Sequence, residues 1–499
     1  MRIDISLLIC KSSTIIRDAL VQLNKNAKRI LFIINEEGHF LDTLTDGDLR
    51  RAMLVDCDQS KPVLDLIDES SELYKRILNN IDDETYKNRL TRPVVSAEYG
   101  ASFQDLKKLI SERIKIVPLL QNGKIVDYYE DGENKNVPIA SPNLSGNEAR
   151  YVMECLESNW VSSQGKFVNE LEKNFSSYCD AKYGVAVSNG TSALHLALLA
   201  LGIEEGDEVI VPDLTFAATL NAVIYAHATP VIVDVDENSW CIDPKSIEDA
   251  ITKKTRAIIP VHLYGQSADM KAIMDIARRY NLYIIEDTAE ALGAKFNGKK
   301  CGSFGNIGCF SMFGNKIITS GEGGVCVTSN KKLYDKMCVI RDHGMSMDRK
   351  YWHETVGYNF RLTNLQAALA VAQLEQIESF LGRRDRIKEI YNEHLKNNDL
   401  VPQKSIEGVR SVTWLVCFLL SGKHDRKRFI EITKLRGIDI RPFFYPLSDM
   451  PPFKKYCRKY TPVTHELSKK GICLPTIIDL SDEKYVHISK IIIEGLKEI

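Results

Sequence analysis

From about residue 137 onward, short apolar segments alternate with amphipathic ones, and this alternation restricts the folds open to the chain. Apolar strands are predicted at Tyr183–Ser188, Glu208–Val211, Pro230–Val235, Ala257–Val261 and Leu282–Glu286. Helices are predicted at Ala193–Leu201, Asp269–Tyr280 and Leu333–Arg341. Such alternation favours a mostly parallel sheet that is covered by helices on both faces. Ligands of these sheets bind beyond the carboxyl ends of the strands.

The segment Ser311-Met-Phe-Gly-Asn-Lys316, followed by Ile-Ile-Thr-Ser-Gly-Glu-Gly-Gly, is typical of a lysine that forms a Schiff base. Its amine must reach an aldehyde carbon, Ser311 can hold a nearby phosphate, and the glycines let backbone approach a flat ring. A lysine beside a glycine loop is more often a solvated turn. Here it follows a strand that ends in Glu286-Asp287 and, further upstream, the turn Ser188-Asn-Gly-Thr-Ser-Ala193. Three parts of one cofactor site in one chain favour the catalytic interpretation.

The turn at 188–193 follows a strand and opens a helix, which makes it a candidate phosphate cradle. Gly190, Thr191 and Ser192 are the predicted phosphate-binding residues. Free backbone N–H groups at Thr191 and Ser192, together with the helix dipole, would attract the anion. The alternative is an ordinary helix N-cap, which is the commoner use of such residues.

Acidic and aromatic residues complete the predicted site. Asp287 would pair with a protonated pyridine nitrogen and keep the ring an electron sink, although acids commonly finish strands without such a role. Glu290 would reach the phenolic oxygen of the same ring. Phe216 would offer the ring a flat face, although an aromatic residue there is more often plain core.

Length, charge and cysteine usage exclude several classes of protein. The 499 residues suit two or three domains, and a net charge of −2 offers no electrostatic surface for nucleic acid or an anionic membrane. No apolar run approaches the roughly 18–20 residues that span a bilayer, and the N-terminus lacks a secretory pattern. The twelve cysteines are scattered singly, which predicts reduced thiols in the cytoplasm and neither a disulfide scaffold nor a metal site.

The first 135 residues carry an internal repeat. A helical stretch (Ile15–Leu23), a strand (Ile30–Ile34) and a second strand running into Thr45-Asp-Gly-Asp48 are echoed by Arg92–Val95, Phe103–Ile110, Lys115–Leu120 and Gly123–Val126. This repeat resembles a tandem pair of CBS modules, which implies a possible purine-nucleotide site at Thr45 and Asp48. The second copy lacks the Thr-x-x-Asp arrangement, and a structural or assembly role is the alternative. The polar segment Glu130–Asn136 is the predicted linker.

The remaining chain, from about Val137 to Ile499, resembles the DegT/DnrJ/EryC1/StrS family of sugar-nucleotide aminotransferases that depend on pyridoxal 5'-phosphate (PLP). The resemblance rests on the motifs above and on Asn159-Trp-Val-Ser-Ser-Gln-Gly165, Gly357-Tyr-Asn-Phe-Arg-Leu-Thr-Asn-Leu-Gln-Ala367 and Arg441-Pro-Phe-Phe-Tyr-Pro446. Within the family, Phe313–Lys316, Arg341-Asp-His-Gly-Met345 and Tyr351-Trp-His353 are most similar to the branch that makes GDP-perosamine.

This resemblance implies an α/β architecture of PLP fold type I, like that of aspartate aminotransferase. A large PLP-binding domain is expected at 137–380 and a smaller C-terminal α+β domain at 381–499, after the CBS-like pair at 1–135. The resemblance also implies a homodimer or higher homo-oligomer, in which Asn359 or Arg361 reaches the cofactor of the other subunit.

The implied reaction is of the ping-pong type. Lys316 holds PLP until L-glutamate displaces it, then shuttles a proton, and a 4-keto-6-deoxy nucleotide sugar accepts the amine. The expected acceptor is GDP-4-keto-6-deoxy-D-mannose. Expected substrate contacts are Trp160, His343, Arg441 and Tyr445, with a solvated ion pair as the alternative for Arg441. Ser448 stands where many GDP-perosamine-forming relatives carry histidine.

Three other functions remain open from the sequence. The first is the same chemistry on a UDP- or dTDP-linked 4-keto sugar. The second is a PLP-dependent sugar dehydratase, which Lys316 disfavours because such relatives carry histidine at the Schiff-base position. The third is a non-catalytic regulator that responds to nucleotide through the N-terminal repeat, which the intact Lys316, Asp287 and Ser311 disfavour.

Overall fold

The computed structural model divides into two compact units, residues 1–135 and 136–499. It describes residues 5–26, 28–55, 57–79, 95–99, 101, 106, 108–109, 114, 116–130, 137–396, 398–421 and 424–499. Most of the predicted stretches Arg92–Val95 and Phe103–Ile110, and most of the predicted linker Glu130–Asn136, lie outside the described residues. Among the described residues, no helix is long and apolar enough to cross a membrane.

The N-terminal unit contains two small sheets with the same topology. In the first, β1 (Ile9–Lys11) runs parallel to β2 (Ile30–Ile34), which is antiparallel to β3 (Phe40–Thr45). In the second, β4 (Ala97–Glu98) runs parallel to β5 (Ile116–Gln121), which is antiparallel to β6 (Lys124–Glu130). This shared order and sense agree with the predicted internal repeat. The helices described here are Ile16–Lys25, Asp46–Leu54 and Glu72–Asn79.

The two copies of the repeat contact each other through their hairpins. The backbone N–H of Phe40 donates to the carbonyl of Gly123 at 3.0 Å. The rings of Phe32 and Tyr128 lie 6.4 Å apart and share one buried cluster with Leu8 and Ile116. The repeat therefore forms one unit, because each copy completes the apolar packing of the other.

A seven-stranded sheet organises the larger unit. It is built from β7 (Tyr183–Val187), β8 (Glu208–Pro212), β9 (Thr229–Val233), β10 (Thr255–Ile258), β11 (Tyr283–Asp287), β14 (Ile307–Ser311) and β15 (Gly324–Thr328). A separate three-stranded sheet contains β12 (Lys295–Phe296), β13 (Lys299–Lys300) and β17 (Val409–Arg410). The order across the sheet is β7-β15-β14-β11-β10-β8-β9, and β15 alone is antiparallel to its neighbours.

Both faces of this sheet are buried, as its apolar strands require. In β8, Ile210 packs on one face while Val209 and Val211 pack on the other. One helical layer contains Glu148–Glu157, Lys166–Tyr178, Pro244–Ala250, Met270–Tyr280 and Asn364–Glu375, and the opposite layer contains Gly190–Leu201, Ala218–Tyr225 and Lys331–Arg341. The predicted parallel sheet between two helical layers is confirmed, with the one antiparallel strand as an addition.

The predicted elements agree with the structure to within about three residues at each end. The helix starts have local causes: the side chains of Asn189, Asp269 and Asn330 each accept a backbone N–H from the first turn. After Thr363 the sequence also predicts two long helices, Asn364–Phe380 and Arg383–Lys396, and the structure instead has Asn364–Glu375 and Ile377–His394. The expected domain division at 380/381 therefore falls inside a helix.

The C-terminal residues form a small α+β layer. The strands β16 (Leu400–Pro402), β18 (Val416–Leu420), β20 (Gly471–Leu474) and β19 (Arg441–Pro442) make an antiparallel sheet in that order. The helices Ile377–His394, Arg426–Leu435 and Asp482–Leu496 pack on it, and Pro462–Lys470 precedes β20. This layer shares its buried cluster with Val137, the first described residue of the larger unit.

We expect Gly265→Ala to destabilise the larger unit more than Gly206→Ala. Both glycines have positive φ, at 97° and 95°, so both substitutions carry the same backbone strain of about 1–2 kcal/mol. A Cβ at Gly265 would overlap the carbonyl oxygen of Val412, whereas a Cβ at Gly206 meets nothing within 4 Å. Overpacking should therefore add about 1–3 kcal/mol at Gly265 alone. Thermal unfolding of the two variants checks this, and equal melting temperatures would contradict it.

Candidate active site

Asp287 closes β11 at the carboxyl edge of the sheet, and its backbone and side chain are both fixed. Its N–H donates to Pro260 and its carbonyl accepts from the N–H of His262. One carboxylate oxygen accepts from the Thr219 hydroxyl at 2.7 Å and the other from the N–H of Ala289 at 3.2 Å. Burial raises the pKa of Asp287. A buried carboxylate held in this way is suited to a cationic partner, and the protonated nitrogen of a pyridine ring is such a partner.

Glu286, the preceding residue, anchors the same strand end. Its buried carboxylate accepts backbone N–H bonds from Gly302, Phe304 and Gly305 at 2.6–2.7 Å. The Nε2 of His262 lies 3.0 Å from the same carboxylate, and the Nδ1 of His262 accepts from the N–H of Ala268. These bonds hold the strand end rigid and thereby fix the position of Asp287.

Lys316 lies in the loop between β14 and β15, where its amine is withdrawn from solvent. Its side chain is 13% exposed, and its Nζ lies 3.7 Å from a carboxylate oxygen of Glu290. Burial lowers the pKa of Lys316, while the charges of Glu290 and Asp287 act in the opposite direction. An amine with a lowered pKa is neutral more often, which suits attack on an aldehyde carbon.

Glu290 is the second buried acid of the site. Its other carboxylate oxygen accepts the backbone N–H of Tyr264 at 2.9 Å. Burial raises the pKa of Glu290 to about 7, against the opposing effect of the nearby Lys316. Near neutral pH this side chain is therefore present in both protonation states, so it can donate to an anionic oxygen or accept from a protonated one.

The phosphate cradle and Ser311 are adjacent in space. A Cβ placed on Gly190 would lie 2.9 Å from the Cβ of Ser311, so glycine is needed where the helix start meets β14. The hydroxyls of Ser188 and Ser192 lie 3.2 Å apart. The backbone N–H of Ser192 differs from the expectation of a free donor, because it donates to the side chain of Asn189 at 2.8 Å. The role of Gly190, Thr191 and Ser192 as a phosphate cradle stays a prediction.

Phe216 is exposed and is not plain core. Its side chain is 61% accessible, and its ring centroid lies 6.0 Å from that of Phe444. Three residues further along the chain, in the first turn of the helix Ala218–Tyr225, Thr219 holds Asp287. The segment 216–219 therefore connects an exposed aromatic ring with the buried acid.

Asn359 and Arg361 lie beside the cradle strand of their own chain. The carbonyl of Phe360 accepts the N–H of Ser188 at 2.8 Å. Arg361 donates to the side chains of Asn359 and Asp342. The predicted reach of these residues to a second subunit stays a prediction.

The four predicted substrate residues lie at the surface. Trp160, His343 and Tyr445 are exposed, and the Arg441 side chain forms an ion pair with Asp439 at 3.0 Å. Ser448, by contrast, is buried and donates through its N–H and hydroxyl to the Asp213 carboxylate, each at 2.7 Å. The predicted substrate contacts of these four residues stay predictions, and Ser448 itself is occupied by Asp213.

Thr45 and Asp48 of the N-terminal unit form a helix cap. The carboxylate of Asp48 accepts from the N–H and the hydroxyl of Thr45 at 2.8 and 2.6 Å. This capping box starts the helix Asp46–Leu54. The nucleotide role predicted for this pair stays a prediction.

Three residues at the site were missed from the sequence: Thr219, Tyr264 and Trp414. Thr219 binds Asp287, the Tyr264 backbone binds Glu290, and the Trp414 ring lies 3.9 Å from the Lys316 Nζ. Only Thr219 had a local signal, since it lies three positions after the predicted site residue Phe216 in the chain. Tyr264 and Trp414 reach the site through tertiary packing.

Comparison with known proteins identifies this arrangement. The model of the DegT/DnrJ/EryC1/StrS aminotransferase family matches residues 142–493. The GDP-perosamine synthase of Escherichia coli O157:H7 is 44% identical over 361 residues, which are 72% of this chain and 98% of that protein. The GDP-perosamine synthase of Caulobacter vibrioides is 44% identical over 69% of this chain and 94% of that protein.

Solved structures show the same relationship. A putative sugar aminotransferase of Streptococcus pneumoniae in its PLP form has a TM-score of 0.69 and 28% identity, over 73% of this chain and 99% of that one. S. venezuelae DesV, in complex with a ketimine intermediate, has a TM-score of 0.67 and 31% identity, over 71% of this chain and 95% of that one. The chain belongs to the DegT/DnrJ/EryC1/StrS aminotransferase family, and it is a PLP-dependent sugar aminotransferase with the corresponding fold.

We expect Glu290→Gln to remove a pH dependence of stability in the cofactor-free protein. Between the ordinary glutamate pKa of about 4.3 and about 7, the folded protein keeps a proton on Glu290 that the unfolded chain has lost. The folded state is therefore destabilised as the pH rises through this window. The melting temperature of Glu290→Gln relative to the parent should rise by a few degrees from pH 4.5 to 7.5. The exposed Glu205→Gln is the control, and parallel pH profiles for Glu290→Gln and the parent would contradict the expectation.

Proposed function

We propose that this chain transfers the amino group of L-glutamate to C4 of a 4-keto-6-deoxy nucleotide sugar. The proposed acceptor is GDP-4-keto-6-deoxy-D-mannose and the proposed product is GDP-perosamine, for surface polysaccharide biosynthesis. The observation that carries the proposal is the buried Lys316 amine, which lies 3.7 Å from Glu290, in a chain that matches GDP-perosamine synthases over nearly their whole length.

The residues present fit PLP, which supplies an aldehyde carbon and a ring that withdraws electrons from the reacting carbon. Asp287 would hold the ring nitrogen and Glu290 the phenolic oxygen, since both are buried acids fixed by hydrogen bonds. Phe216, exposed at the rim, would cover one face of the ring. The phosphate would be bound by Gly190, Thr191, Ser192 and Ser311.

Lys316 would carry the proton in both halves of the reaction. As a neutral amine, its Nζ would take the proton from the Cα of glutamate, and as an ammonium it would release that proton to the cofactor carbon. The second half would reverse these steps on the sugar. Burial supports this role because it lowers the pKa of Lys316 toward the range where both forms exist.

The site favours transamination over sugar dehydration. Lys316 distinguishes the proposed aminotransferase from the sugar dehydratases, since the dehydratase relatives carry histidine in its place. A non-catalytic regulator is disfavoured because Lys316, Asp287 and Glu290 form one connected and buried set. The same chemistry on a UDP- or dTDP-linked sugar is the second candidate, because Trp160, His343, Arg441 and Tyr445 are exposed side chains that suit several nucleotides.

We further propose that the enzyme works as a homodimer or higher homo-oligomer. The loop between His343 and Gly357 carries several strongly exposed apolar side chains, among them Tyr351 at 83% and Val356 at 86%. Asn359 and Arg361 follow directly on this loop. A second subunit packed on the loop would bury this apolar surface. Asn359 and Arg361 would then lie close to the cofactor site of that second subunit.

The proposed compartment is the cytoplasm. All twelve cysteines lie in the described part of the chain and are free thiols, which agrees with a reducing environment.

For the N-terminal unit we propose a CBS-like pair that binds a purine nucleotide near Thr45 and Asp48. The repeated sheet topology supports the pair, and a structural role is the alternative.

We expect the purified protein to convert GDP-4-keto-6-deoxymannose to an amino sugar in the presence of PLP and L-glutamate. Mass spectrometry of parallel reactions with GDP-, UDP- and dTDP-linked 4-keto-6-deoxy sugars identifies the acceptor. Product from the GDP sugar alone supports the proposal, and product only from a UDP or dTDP sugar moves it to the second candidate. No amine from any sugar contradicts the donor or the substrate class.

Replacing the amine should abolish this activity while leaving the fold intact. Lys316→Ala should lower the rate by a factor on the order of 10³ or more, since it removes the proton carrier. Lys332→Ala, on the exposed first turn of the helix Lys331–Arg341, is the matched control and should be as active as the parent. A Lys316→Ala protein with more than a few per cent of the parent rate would rule out the assigned role.

We expect ATP, AMP or GTP to raise the melting temperature of the full-length chain, because a ligand that binds only the folded state stabilises it. Asp48→Asn should weaken this effect. Asp46→Asn makes the same charge change two positions away, where the parent side chain pairs with Arg50, and should leave the effect unchanged. The absence of any nucleotide effect on melting temperature or transamination rate would favour the structural role.

A further inference from the structure

A buried indole packs against the amine of Lys316. The Nζ of Lys316 lies 3.9 Å from the ring centroid of Trp414, and Trp414 is only 4% exposed. This distance is within the range of a cation–π interaction, for which tryptophan is the strongest of the aromatic side chains. Trp414 is therefore the second group, after Glu290, that contacts the reactive amine.

Trp414 is fixed at both its side chain and its backbone. The indole N–H donates to the carbonyl of Asn315 at 2.7 Å, which is the residue before Lys316. The carbonyl of Trp414 accepts from the Arg384 guanidinium at 2.7 Å. The indole consequently keeps its position relative to the loop that carries Lys316.

Arg384, which binds the Trp414 carbonyl, is a buried cation. It is 3% exposed, and burial lowers its pKa to about 10. Within the part of the chain that the structure describes, its Nε finds no hydrogen-bond partner. Burying a cation without a carboxylate is destabilising, so this arrangement costs stability at the segment that holds Trp414.

Tyr264 connects the two groups that contact the amine. Its ring stacks on Trp414 with centroids 6.1 Å apart and an angle of 12° between the planes. Its backbone N–H donates to Glu290, and its φ of 55° lies in the left-handed region that a tyrosine seldom adopts. Strained residues of this kind cluster at functional sites.

The lysine that carries the proton in a transaminase must be stable as an ammonium and must still be free to move. A buried ammonium is unfavourable without a partner, and Glu290, whose pKa is raised to about 7, is not fully ionised at neutral pH. A carboxylate would also hold the ammonium by a directional bond. The face of an indole attracts the ammonium electrostatically without fixing its N–H directions.

We propose that Trp414 is a positioning residue that stabilises the protonated amine of Lys316 and holds it against the indole face without fixing its N–H directions. The role is exerted through Lys316 and rests on the proposed aminotransferase function. The simpler interpretation is that Trp414 is an ordinary core residue. The two differ in one observable, because a core residue has no effect on the protonation of a neighbouring amine beyond its effect on packing.

The test measures the reactivity of Lys316 in the full-length, cofactor-free protein. An amine-selective reagent, trinitrobenzenesulfonate, is reacted over a range of pH, and the labelled Lys316 peptide is quantified by mass spectrometry. The parent is compared with Trp414→Leu, which removes the aromatic face, and with Trp414→Phe, which keeps a weaker one. Trp240→Leu is the control, since Trp240 is an equally buried tryptophan that packs on Phe443.

In Trp414→Leu we expect the midpoint of the labelling profile to move to lower pH. Below the midpoint, labelling relative to the plateau should rise on the order of fivefold, because the ammonium loses its cation–π partner. Trp414→Phe should shift the midpoint less in the same direction, and Trp240→Leu should not shift it. Better access to a loosened site would raise the plateau without moving the midpoint.

Unchanged midpoints in both Trp414 variants, or equal shifts in Trp414→Leu and Trp240→Leu, would overturn the proposal. If Trp414→Leu does not fold, the smaller shift in Trp414→Phe decides. Because labelling requires neither donor nor sugar, it is independent of the acceptor. Failure of the proposed function would appear in the amino-sugar assay, whereas failure of this inference would appear in the labelling midpoint.

Discussion

The site depends on the burial of three ionisable groups at one edge of a sheet. Asp287, Glu290 and Lys316 are all withdrawn from water, and burial moves the pKa of each toward its uncharged form. In a medium of low polarity each charge is stable only if the others, or a ligand, compensate it. In the proposed site, a cofactor with a cationic ring nitrogen and an electrophilic carbon would compensate the charge of Asp287 and react with Lys316.

Sheet topology brings these groups together, and so much of the site is readable from the sequence. Asp287 ends β11, and Lys316 follows β14 in the next strand position. The cradle residues follow β7, which β15 links to β14. For Asp287 and the cradle, which end predicted strands, a strand prediction is enough to indicate this edge, whereas β14 was not predicted and Lys316 was recognised from its local motif.

Features that arise from packing are not readable in this way. Tyr264 and Trp414 are distant in sequence from the residues that they hold, and a buried aromatic residue in an apolar stretch has no pattern that separates it from core. The helix break at Gln376 also lacks a signal, since the glycine that suggests a break, Gly382, lies inside the next helix with open space around it. The occupied N–H of Ser192, by contrast, is the helix N-cap bond that the sequence offered as the alternative at this turn.

Hydrogen bonds to a buried carboxylate fix the segment 441–448 to the end of the strand that precedes Phe216 and Thr219. Asp213 is fully buried and accepts from Ser448 and from the Thr461 hydroxyl, which joins the 441–448 segment to the end of β8. From there the chain runs through the exposed Phe216 to Thr219, which holds Asp287. A substitution at Ser448 would leave the buried Asp213 with a lost partner and displace this segment. The 441–448 segment, which carries the proposed substrate residues Arg441 and Tyr445, is therefore coupled through Asp213 to the chain that leads to Asp287.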